Sequence, residues 1–330
     1  MSSLQGCPIL LVSGGAHPEL AESLAAELEV VLAPTAIGSF VDTETRVRVT
    51  PDVRGADVFV LQPTSPPVND HLMELTQLID ACRAAGAQRI TALVPYFGYA
   101  RQDQRSRVGD PRSAQIVARL LGAVGLDHLV TLDLHAPSLE SALPMPCTLL
   151  RAEGLFLPLI KTWGEKDLVI VSPDAGGLKR AQRYAAELNA DLAAIAKDRP
   201  QPDMATPRRV LGDVKGRPCV IVDDLASTGR TLAGAAEALR ESGAREVHAV
   251  FTHSVMAADA LERLLAAALK RIATTDSVQA MRHPRVEVVP IAGLLAKTVR
   301  ELHEGPRSSN PTRSSRRRAA SAASRPASRR

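Results

Sequence analysis

The sequence predicts an α/β fold with mainly parallel sheets, organised in two similar halves. Short apolar runs typical of buried strands alternate with amphipathic stretches typical of helices along most of the chain. Polar clusters follow the ends of several predicted strands, which is the sheet edge where open α/β folds bind ligands. The second half repeats the strand–helix rhythm of the first, as a duplication would, although no strict sequence period accompanies it.

The composition fits two globular domains in a reducing compartment. The chain has 330 residues, of which 45% are hydrophobic, enough for two ordinary domains with buried cores. Its four cysteines are widely spaced without a CxxC pair, which argues against a zinc site and a disulfide framework. No apolar run is long enough for a membrane span, and the N-terminus lacks a charged-then-apolar leader. We therefore expect a cytoplasmic protein without a membrane segment.

The basic charge of the chain is concentrated near its C-terminus. Residues 306–330 contain eight arginines and no acidic residue, so the net charge of +4 becomes −4 without them. This segment of Ser, Arg, Ala and Pro cannot build a core, and we expect it to be disordered. We expect no nucleic-acid binding by the protein except through this tail, for which a solvated appendage without a catalytic role is an equally good interpretation.

The first half contains four predicted strands, three helices and a hairpin-like region. Strands are expected at residues 9–12, 57–61, 90–94 and 129–132, helices at 18–28, 68–85 and 112–124, and the hairpin over 40–49. Asn69 or Asp70 is available to cap the helix over 68–85.

The second half contains six predicted strands and three helices. Strands are expected at residues 168–171, 191–196, 219–222, 247–251, 271–274 and 286–289, and helices at 178–188, 231–240 and 291–303. Residues 197–207 contain three prolines and no apolar periodicity, which is typical of a mobile or hairpin-like loop.

The chain is organised around residues 219–232, where an apolar strand runs into Asp223 and Asp224. A loop of small residues over 226–229 and a helix follow. Such a junction points backbone N–H groups at one spot, which suits a phosphate, and Ser227, Thr228 and Thr231 add hydroxyl donors. Two adjacent carboxylates can accept hydrogen bonds from vicinal hydroxyls, so the stretch fits a sugar phosphate. The alternative is an ordinary strand–turn–helix junction with a solvated acid pair.

A second polar stretch, over residues 96–105, follows the predicted strand 90–94. Aromatic residues beside arginines at a strand end are suited to stacking a base and pairing its phosphates. A packed loop with a solvated charge run is the alternative.

Several long motifs, in order, resemble the ribose-phosphate pyrophosphokinase family. They are QPTSPPVNDHLMEL at 62–75, ITALVPYFGYARQDQR at 90–105, LDLH at 132–135, VSPDAGGLKRAQ at 171–182, VDDLASTGRT at 222–231 and LLAKTVRELHEG at 294–305. The likeness covers about residues 10–305 and is specific because the motifs occur together.

The resemblance implies two tandem type I phosphoribosyltransferase-like domains, placed here at 1–148 and 149–305 and followed by the tail 306–330. It implies transfer of the pyrophosphoryl group of ATP to the 1-hydroxyl of ribose 5-phosphate, with release of AMP. It also implies a requirement for Mg²⁺ and a homo-oligomer in which neighbouring subunits share the ATP site.

The resemblance also assigns roles to residues of this chain. The catalytic cations would be Lys197 and Arg199, and the magnesium-linked residues would be His135 and Asp174. The ATP contacts would be Phe40, Asp42, Glu44, Arg101, Gln102 and Asp103, the first three reaching a neighbouring subunit's site. The ribose 5-phosphate contacts would be Asp223, Asp224, Ala226, Ser227, Thr228, Gly229, Arg230 and Thr231.

Two positions depart from the family pattern. Thr43 stands where the family often has glycine, which is tolerable if the backbone there avoids positive φ. Arg230 stands where many members have a small residue, and its guanidinium would either strengthen phosphate binding or crowd the loop. Two other functions remain as alternatives to the synthetase: a phosphoribosyltransferase that consumes the activated sugar, and a non-catalytic regulatory relative.

Overall fold

A computed structural model describes residues 7–105, 107–135, 137–197, 208–257, 259–279 and 282–305. The predicted tail 306–330, the loop 198–207 and Arg199 lie outside these residues, as does the side chain of Lys197. None of the described helices is long and apolar enough to cross a membrane.

The first sheet has six parallel strands in the order β2-β1-β5-β6-β7-β8. The strands are β1 (Ile9–Ser13), β2 (Leu32–Ala33), β5 (Asp57–Leu61), β6 (Arg89–Val94), β7 (His128–Leu132) and β8 (Cys147–Leu150). β3 (Thr35–Ser39) and β4 (Thr45–Val49) form a separate antiparallel hairpin. The hairpin predicted over 40–49 therefore begins five residues too late, because residues 40–44 are its turn and not its first strand. All five residues of β5 are buried, as expected for a strand covered on both faces.

The connecting segments of this half are α1 (Pro18–Leu28), α2 (Val68–Ala84), α3 (Ser113–Ala123) and a 3₁₀ turn over Pro137–Ala142. The predicted cap of α2 is wrong, because Pro67 precedes the helix and no side chain caps its N-terminus. Asn69 instead accepts a hydrogen bond from the Tyr99 hydroxyl.

The second sheet has seven strands in the order β11-β10-β9-β12-β13-β14-β15. They are β9 (Val169–Ser172), β10 (Asp191–Lys197), β11 (Arg208–Leu211), β12 (Pro218–Ala226), β13 (Glu246–Ser254), β14 (Arg271–Thr275) and β15 (Val286–Val289). Only β11 runs antiparallel, against β10. The flanking helices are α4 (Glu153–Thr162), α5 (Leu178–Leu188), α6 (Arg230–Glu241), α7 (Ala260–Ala266) and α8 (Ala292–Glu304).

β12 is longer than predicted, and this corrects the interpretation of the central stretch. The expected strand ended at residue 222, whereas β12 continues through Asp223, Asp224 and Ala226. The extension pairs with β13, with Asp223 opposite Phe251 and Leu225 opposite His253. The acid pair therefore lies on a strand rather than on a free loop.

The two halves share one hydrophobic cluster. It includes Leu24 of α1, Phe156 of α4, Tyr184 of α5 and Val299 of α8, all buried. β8 belongs to the first sheet and spans the predicted domain boundary at 148/149.

The last helix, α8, is bound to the amino ends of β5 and β6 in the first sheet. Asp57 is fully buried and binds the Arg89 guanidinium through two hydrogen bonds of 2.8 and 2.6 Å. His303 Nδ1 lies 2.8 Å from the same carboxylate, and Arg89 donates to the Leu302 carbonyl at 2.9 Å. The end of α8 is thus fixed to β5 and β6 by buried polar contacts as well as by its apolar face.

Candidate functional site

A cavity of about 670 Å³ opens at the carboxyl ends of β9, β10 and β12. It lies at the edge where a parallel sheet places its ligands. Ten predicted site residues line it: Arg101, His135, Asp174, Asp223, Asp224, Ala226, Ser227, Thr228, Gly229 and Thr231. Residues of both halves therefore meet in one cavity.

The junction between β12 and α6 forms one wall of the cavity. Gly229 has a φ of +69°, and a Cβ there would lie 2.9 Å from the Ala260 carbonyl oxygen, so this position requires glycine. The Ser227 carbonyl accepts a hydrogen bond of 2.9 Å from Ala257 N, and the Thr228 carbonyl accepts one from the Arg263 guanidinium. The N-terminus of α6, with its partial positive charge, begins directly after this loop, as a phosphate site requires.

The acid pair is held by one arginine and one histidine. Arg180 of α5 lies 3.1 Å from Asp223 Oδ1 and 3.2 Å from Asp224 Oδ1. His135 Nδ1 lies 2.6 Å from Asp224 Oδ2. His135 follows β7 of the first sheet, so this contact joins the two halves across the cavity.

These contacts separate the pKa values of the two carboxyl groups. Burial and the charge of Asp224 raise the pKa of Asp223. Burial alone would raise the pKa of Asp224 too, but the hydrogen bond with His135 and the charge of Arg180 hold it below its usual range. The same hydrogen bond raises the pKa of His135 above its ordinary value. Asp224 is therefore the more firmly ionised acid of the pair.

Asp174 lies on the opposite wall, in the loop between β9 and α5. Its Oδ1 accepts a hydrogen bond of 3.0 Å from Gly177 N, and its carbonyl accepts one of 2.7 Å from the Ser172 hydroxyl. The loop thus fixes one carboxylate oxygen of Asp174. Together with the ring of His135, it offers oxygen and nitrogen donors that could contribute to a metal site whose other ligands are phosphate oxygens.

Arg101 connects the cavity to a second hollow of about 660 Å³. Gln102 lines the second hollow together with Tyr96 and Tyr99, whereas Asp103 lines neither space. The Gln102 side chain accepts a hydrogen bond of 2.8 Å from the Ser113 hydroxyl at the start of α3. The predicted aromatic and basic stretch thus contributes Arg101 to both spaces and Tyr96, Tyr99 and Gln102 to the second hollow.

The predicted adenine contacts lie on the β3–β4 hairpin and do not line the cavity. Phe40 is 51% exposed at the hairpin tip, and the Arg46 guanidinium lies 5.5 Å from the centre of its ring. Thr43, in the turn of the same hairpin, was expected to avoid positive φ. This expectation is wrong, because Thr43 has a φ of +73°. A β-branched residue in this left-handed region is strained. The hairpin turn tolerates it through two backbone hydrogen bonds between Phe40 and residues 43 and 44.

Arg230 is exposed as the first residue of α6 and is absent from the cavity lining. The hydrogen bond and charge of Arg263 lower the pKa of Asp259, and the charge of Arg230 lowers it further. The guanidinium therefore acts on the outer side of the loop, towards α7.

Lys197 is the last residue of β10, and its backbone pairs with Arg208 of β11. Ile195 and Ala196, immediately before it, line the cavity. Its side chain and Arg199 lie outside the described residues.

The described residues bring together one group of potential metal ligands away from this cavity. Glu246 and His248 lie at the start of β13, and Glu165, in the segment between α4 and β9, lies beside them at the opposite edge of the sheet. Lys270 Nζ is 2.6 Å from Glu246, and Arg245 is 3.0 Å from Glu165, so side-chain cations already neutralise these acids.

Sequence reasoning missed three residues that support the site. Arg180 lies inside the motif at 171–182. Its position in the first turn of a helix that follows a strand was the signal that could have identified it as a site residue. Thr252 and His253, at the end of β13, contact Asp133 and Leu132 of the first half. No sequence signal connects residues that are 119 and 121 positions apart.

Family models and related proteins match both halves of this chain. Residues 9–125 match the family model of the N-terminal domain of ribose phosphate pyrophosphokinase, and residues 144–277 match the phosphoribosyl transferase domain. The ribose-phosphate pyrophosphokinase of Neisseria meningitidis serogroup A is 42% identical over 299 residues, 89% of this chain and 91% of that protein. That of Burkholderia pseudomallei is 40% identical over 310 residues, 92% of this chain and 97% of that protein.

A solved structure matches as well. The crystal structure of phosphoribosylpyrophosphate synthetase from Mycobacterium smegmatis has a TM-score of 0.86 and 39% identity, covering 90% of this chain and 99% of that one. The matches extend over both halves and through the cavity.

Proposed function

This chain belongs to the ribose-phosphate pyrophosphokinase family, and from that premise we propose how its residues transfer the pyrophosphoryl group of ATP to the 1-hydroxyl of ribose 5-phosphate. The products are 5-phosphoribosyl 1-pyrophosphate and AMP, for nucleotide biosynthesis. One observation carries the proposal: a phosphate-binding junction, an acid pair and Arg101 line a single cavity that residues of both halves close.

Ribose 5-phosphate binds at the β12–α6 junction in this proposal. The 5-phosphate lies against the cavity-lining residues Ala226, Ser227, Thr228, Gly229 and Thr231, where the helix N-terminus and hydroxyl groups favour an anion. Arg230, the remaining predicted contact, does not line the cavity and would contribute only its charge from the outer side of the loop. Asp223 and Asp224 accept hydrogen bonds from the ribose hydroxyls. Arg180 stabilises their charge before the sugar arrives, because it is within 3.2 Å of both carboxylates.

ATP binds on the first half, with Arg101 on its phosphates and Gln102 and Asp103 beside it. Phe40, Asp42 and Glu44 contact the adenine of a neighbouring subunit's ATP in this proposal, which is supported by their exposure and by their absence from the lining of the cavity in their own chain. This arrangement requires a homo-oligomer.

His135 and Asp174 hold Mg²⁺ together with substrate phosphates. The ring of His135 is oriented by its Nδ1 contact with Asp224, which leaves Nε2 as the atom offered to the metal, a common arrangement for metal-binding histidines. When bound, the ion would neutralise phosphate charge.

Lys197 and Arg199 supply the catalytic cations. Charge in the transition state spreads over the phosphoryl oxygens, so positioned cations are the main requirement of the chemistry. Lys197 directly follows two cavity-lining residues of β10, which places the start of this segment at the site.

The test is AMP formation from ATP and ribose 5-phosphate with and without Mg²⁺. We expect AMP and an activated sugar only when all three are present. Absence of AMP would contradict the proposal, and pyrophosphate release that depends on an added base would indicate a phosphoribosyltransferase. Absence of turnover with capture of an active synthetase would indicate a regulatory relative.

Lys197→Ala tests the assignment of roles. We expect kcat to fall by about 10²-fold or more with little change in ribose 5-phosphate binding, because Lys197 acts on the transition state. Lys166→Ala, an exposed lysine outside the cavity lining, is the matched control. Equal losses of turnover and sugar binding in Lys197→Ala would contradict the role.

We also propose a cytoplasmic location for this enzyme. Cell fractionation tests it, and recovery of the protein with membranes would contradict it.

A further inference from the structure

The carboxyl end of β13 reaches out of the second half and contacts the loop that carries His135. Thr252 and His253 are 1% and 3% exposed there. The Thr252 hydroxyl donates to Asp133 Oδ2 at 2.6 Å, and His253 Nε2 lies 3.0 Å from the Leu132 carbonyl oxygen. Two consecutive residues of one half thus bind two consecutive residues of the other, just before His135.

Asp133 has an unusual backbone conformation that these contacts support. Its φ is +42°, in the left-handed region, where a residue other than glycine persists only if its surroundings hold it. The Thr252 hydroxyl and Ala152 N, at 3.3 Å, both donate to its Oδ2. The bend at Asp133 sets the direction of the chain into His135, which lies 2.6 Å from Asp224.

The second contact fixes the tautomer of His253. A carbonyl oxygen only accepts, so Nε2 must carry the proton that goes to Leu132, and Nδ1 accepts from the Ser277 hydroxyl at 2.8 Å. The His253 ring also packs edge-on against Tyr96, with 5.1 Å between ring centres. Tyr96 lines the second hollow together with Arg101 and Gln102, two residues proposed to contact ATP.

We propose that Thr252 and His253 are positioning residues for the pyrophosphoryl transfer, an inference that rests on the proposed function. They touch neither proposed substrate. They fix His135 and the Tyr96 segment of the first half relative to the acid pair of the second half, which lies on the adjacent strand β12. Loss of either contact leaves both substrate pockets in place but misaligns one with the other.

A purely structural role would give a different pattern. If Thr252 only stabilised the fold, its replacement would lower the melting temperature, and activity would follow the amount of folded protein. A positioning role lowers kcat of the folded enzyme while KM for ribose 5-phosphate is retained, because misplaced groups lose transition-state contacts first.

The chain offers a matched control for this distinction. Thr131 on β7 is 1% exposed, and among the described residues its hydroxyl has no hydrogen-bond partner. It precedes Leu132 directly. Thr131→Val and Thr252→Val therefore make the same chemical change at two buried positions. Thr252 contacts Asp133 directly, whereas Thr131 is two residues away from Asp133 in the chain.

The experiment measures kcat, both KM values and thermal unfolding for the full chain and its variants. We expect Thr252→Val to lower kcat by about 10- to 100-fold with KM for ribose 5-phosphate within about twofold. Thr252→Ser, which keeps the hydroxyl, should restore most of the activity, and Thr131→Val should resemble the unmodified chain. His253→Phe, which removes the donor to Leu132, should also lower kcat and should raise KM for ATP.

Unchanged kcat in Thr252→Val would overturn the inference, as would an equal loss in Thr131→Val or no recovery in Thr252→Ser. If Thr252→Val does not fold, Thr252→Cys, which has the branching of serine but only a weak S–H donor, must show the same loss confined to kcat relative to Thr252→Ser. An unmodified chain that forms no AMP would overturn the proposed function and this inference together. An active chain whose variants behave as the structural role predicts would overturn this inference alone.

Discussion

Acid should destabilise this protein through one buried histidine, His248. Its side chain is fully buried on β13, and its ring lies 5.0 Å from that of Trp163. Neither ring nitrogen has a hydrogen-bond partner among the described residues. Burial, reinforced by the charges of Arg271 and Lys270, lowers the pKa of His248 from 6.5 to about 4, although Glu246 acts in the opposite direction.

The sign of the effect follows from which state takes up the proton first. The unfolded chain binds it near pH 6.5 and the folded chain only near pH 4, so protonation favours unfolding between these values. Stability is unaffected by this group above pH 7 and falls as the pH decreases through the window. The shift corresponds to a loss of about 2 kcal/mol at pH 5 and about 3 kcal/mol below pH 4.

The measurement is the free energy of unfolding by urea at pH 7 and pH 5, for the unmodified chain and for His248→Phe. Other groups titrate in both chains, so the difference between their pH dependences isolates His248. We expect the unmodified chain to lose about 2 kcal/mol more than the variant. An equal loss in both chains would show that His248 is hydrated or already paired with Glu165 or Glu246, and would refute the reasoning.

Two further predictions concern Arg180 and the hairpin. Arg180→Met should raise KM for ribose 5-phosphate about tenfold at pH 8. Burial and Asp224 already raise the pKa of Asp223 to about 8 with Arg180 in place, so loss of the guanidinium should raise this pKa further, and the difference in KM should shrink at more alkaline pH. A KM independent of both the substitution and pH would contradict this, and Arg183→Met, on the outer side of α5, is the control. Thr43→Gly should raise stability by about 0.5 to 1 kcal/mol in urea unfolding because it relieves a φ of +73°. Thr45→Gly, inside β4, should lower stability by a similar amount; a destabilising Thr43→Gly would mean that the turn is not strained.

The strands and helices with strong apolar patterns were predicted closely from sequence. β5 and α5 have the predicted bounds, because each is a continuous run of one periodicity. β3, β8 and α7 were missed although β8 and α7 are rich in residues that favour their structure. Three other missed elements have weak local signals. α4 contains Pro158 in its interior, β2 has two residues, and β11 is an edge strand that follows the proline-containing loop.

Candidate residues for the site were predicted from the motifs, whereas the contacts between their side chains were not. The motifs contain most of the residues that line the cavity, since a strand end followed by polar residues is a local pattern, but Ile195, Ala196 and Leu232 lie outside them. The pairing of Arg180 with Asp223, 43 positions away, depends on the crossing of α5 over the sheet. The contact between Thr252 and Asp133 depends on how two separate sheets dock, which no local pattern encodes.

The buried contacts of Asp57 with Arg89 and His303 have a consequence for biosynthesis of the protein. His303 is among the last described residues to leave the ribosome, whereas Asp57 is made early. The nascent first half exposes the surface that α8 later covers, and the Asp57–Arg89 pair lacks its third partner until α8 has been synthesised. A stop codon before α8 would therefore leave an unfinished amino-terminal half, prone to degradation, instead of a shortened enzyme.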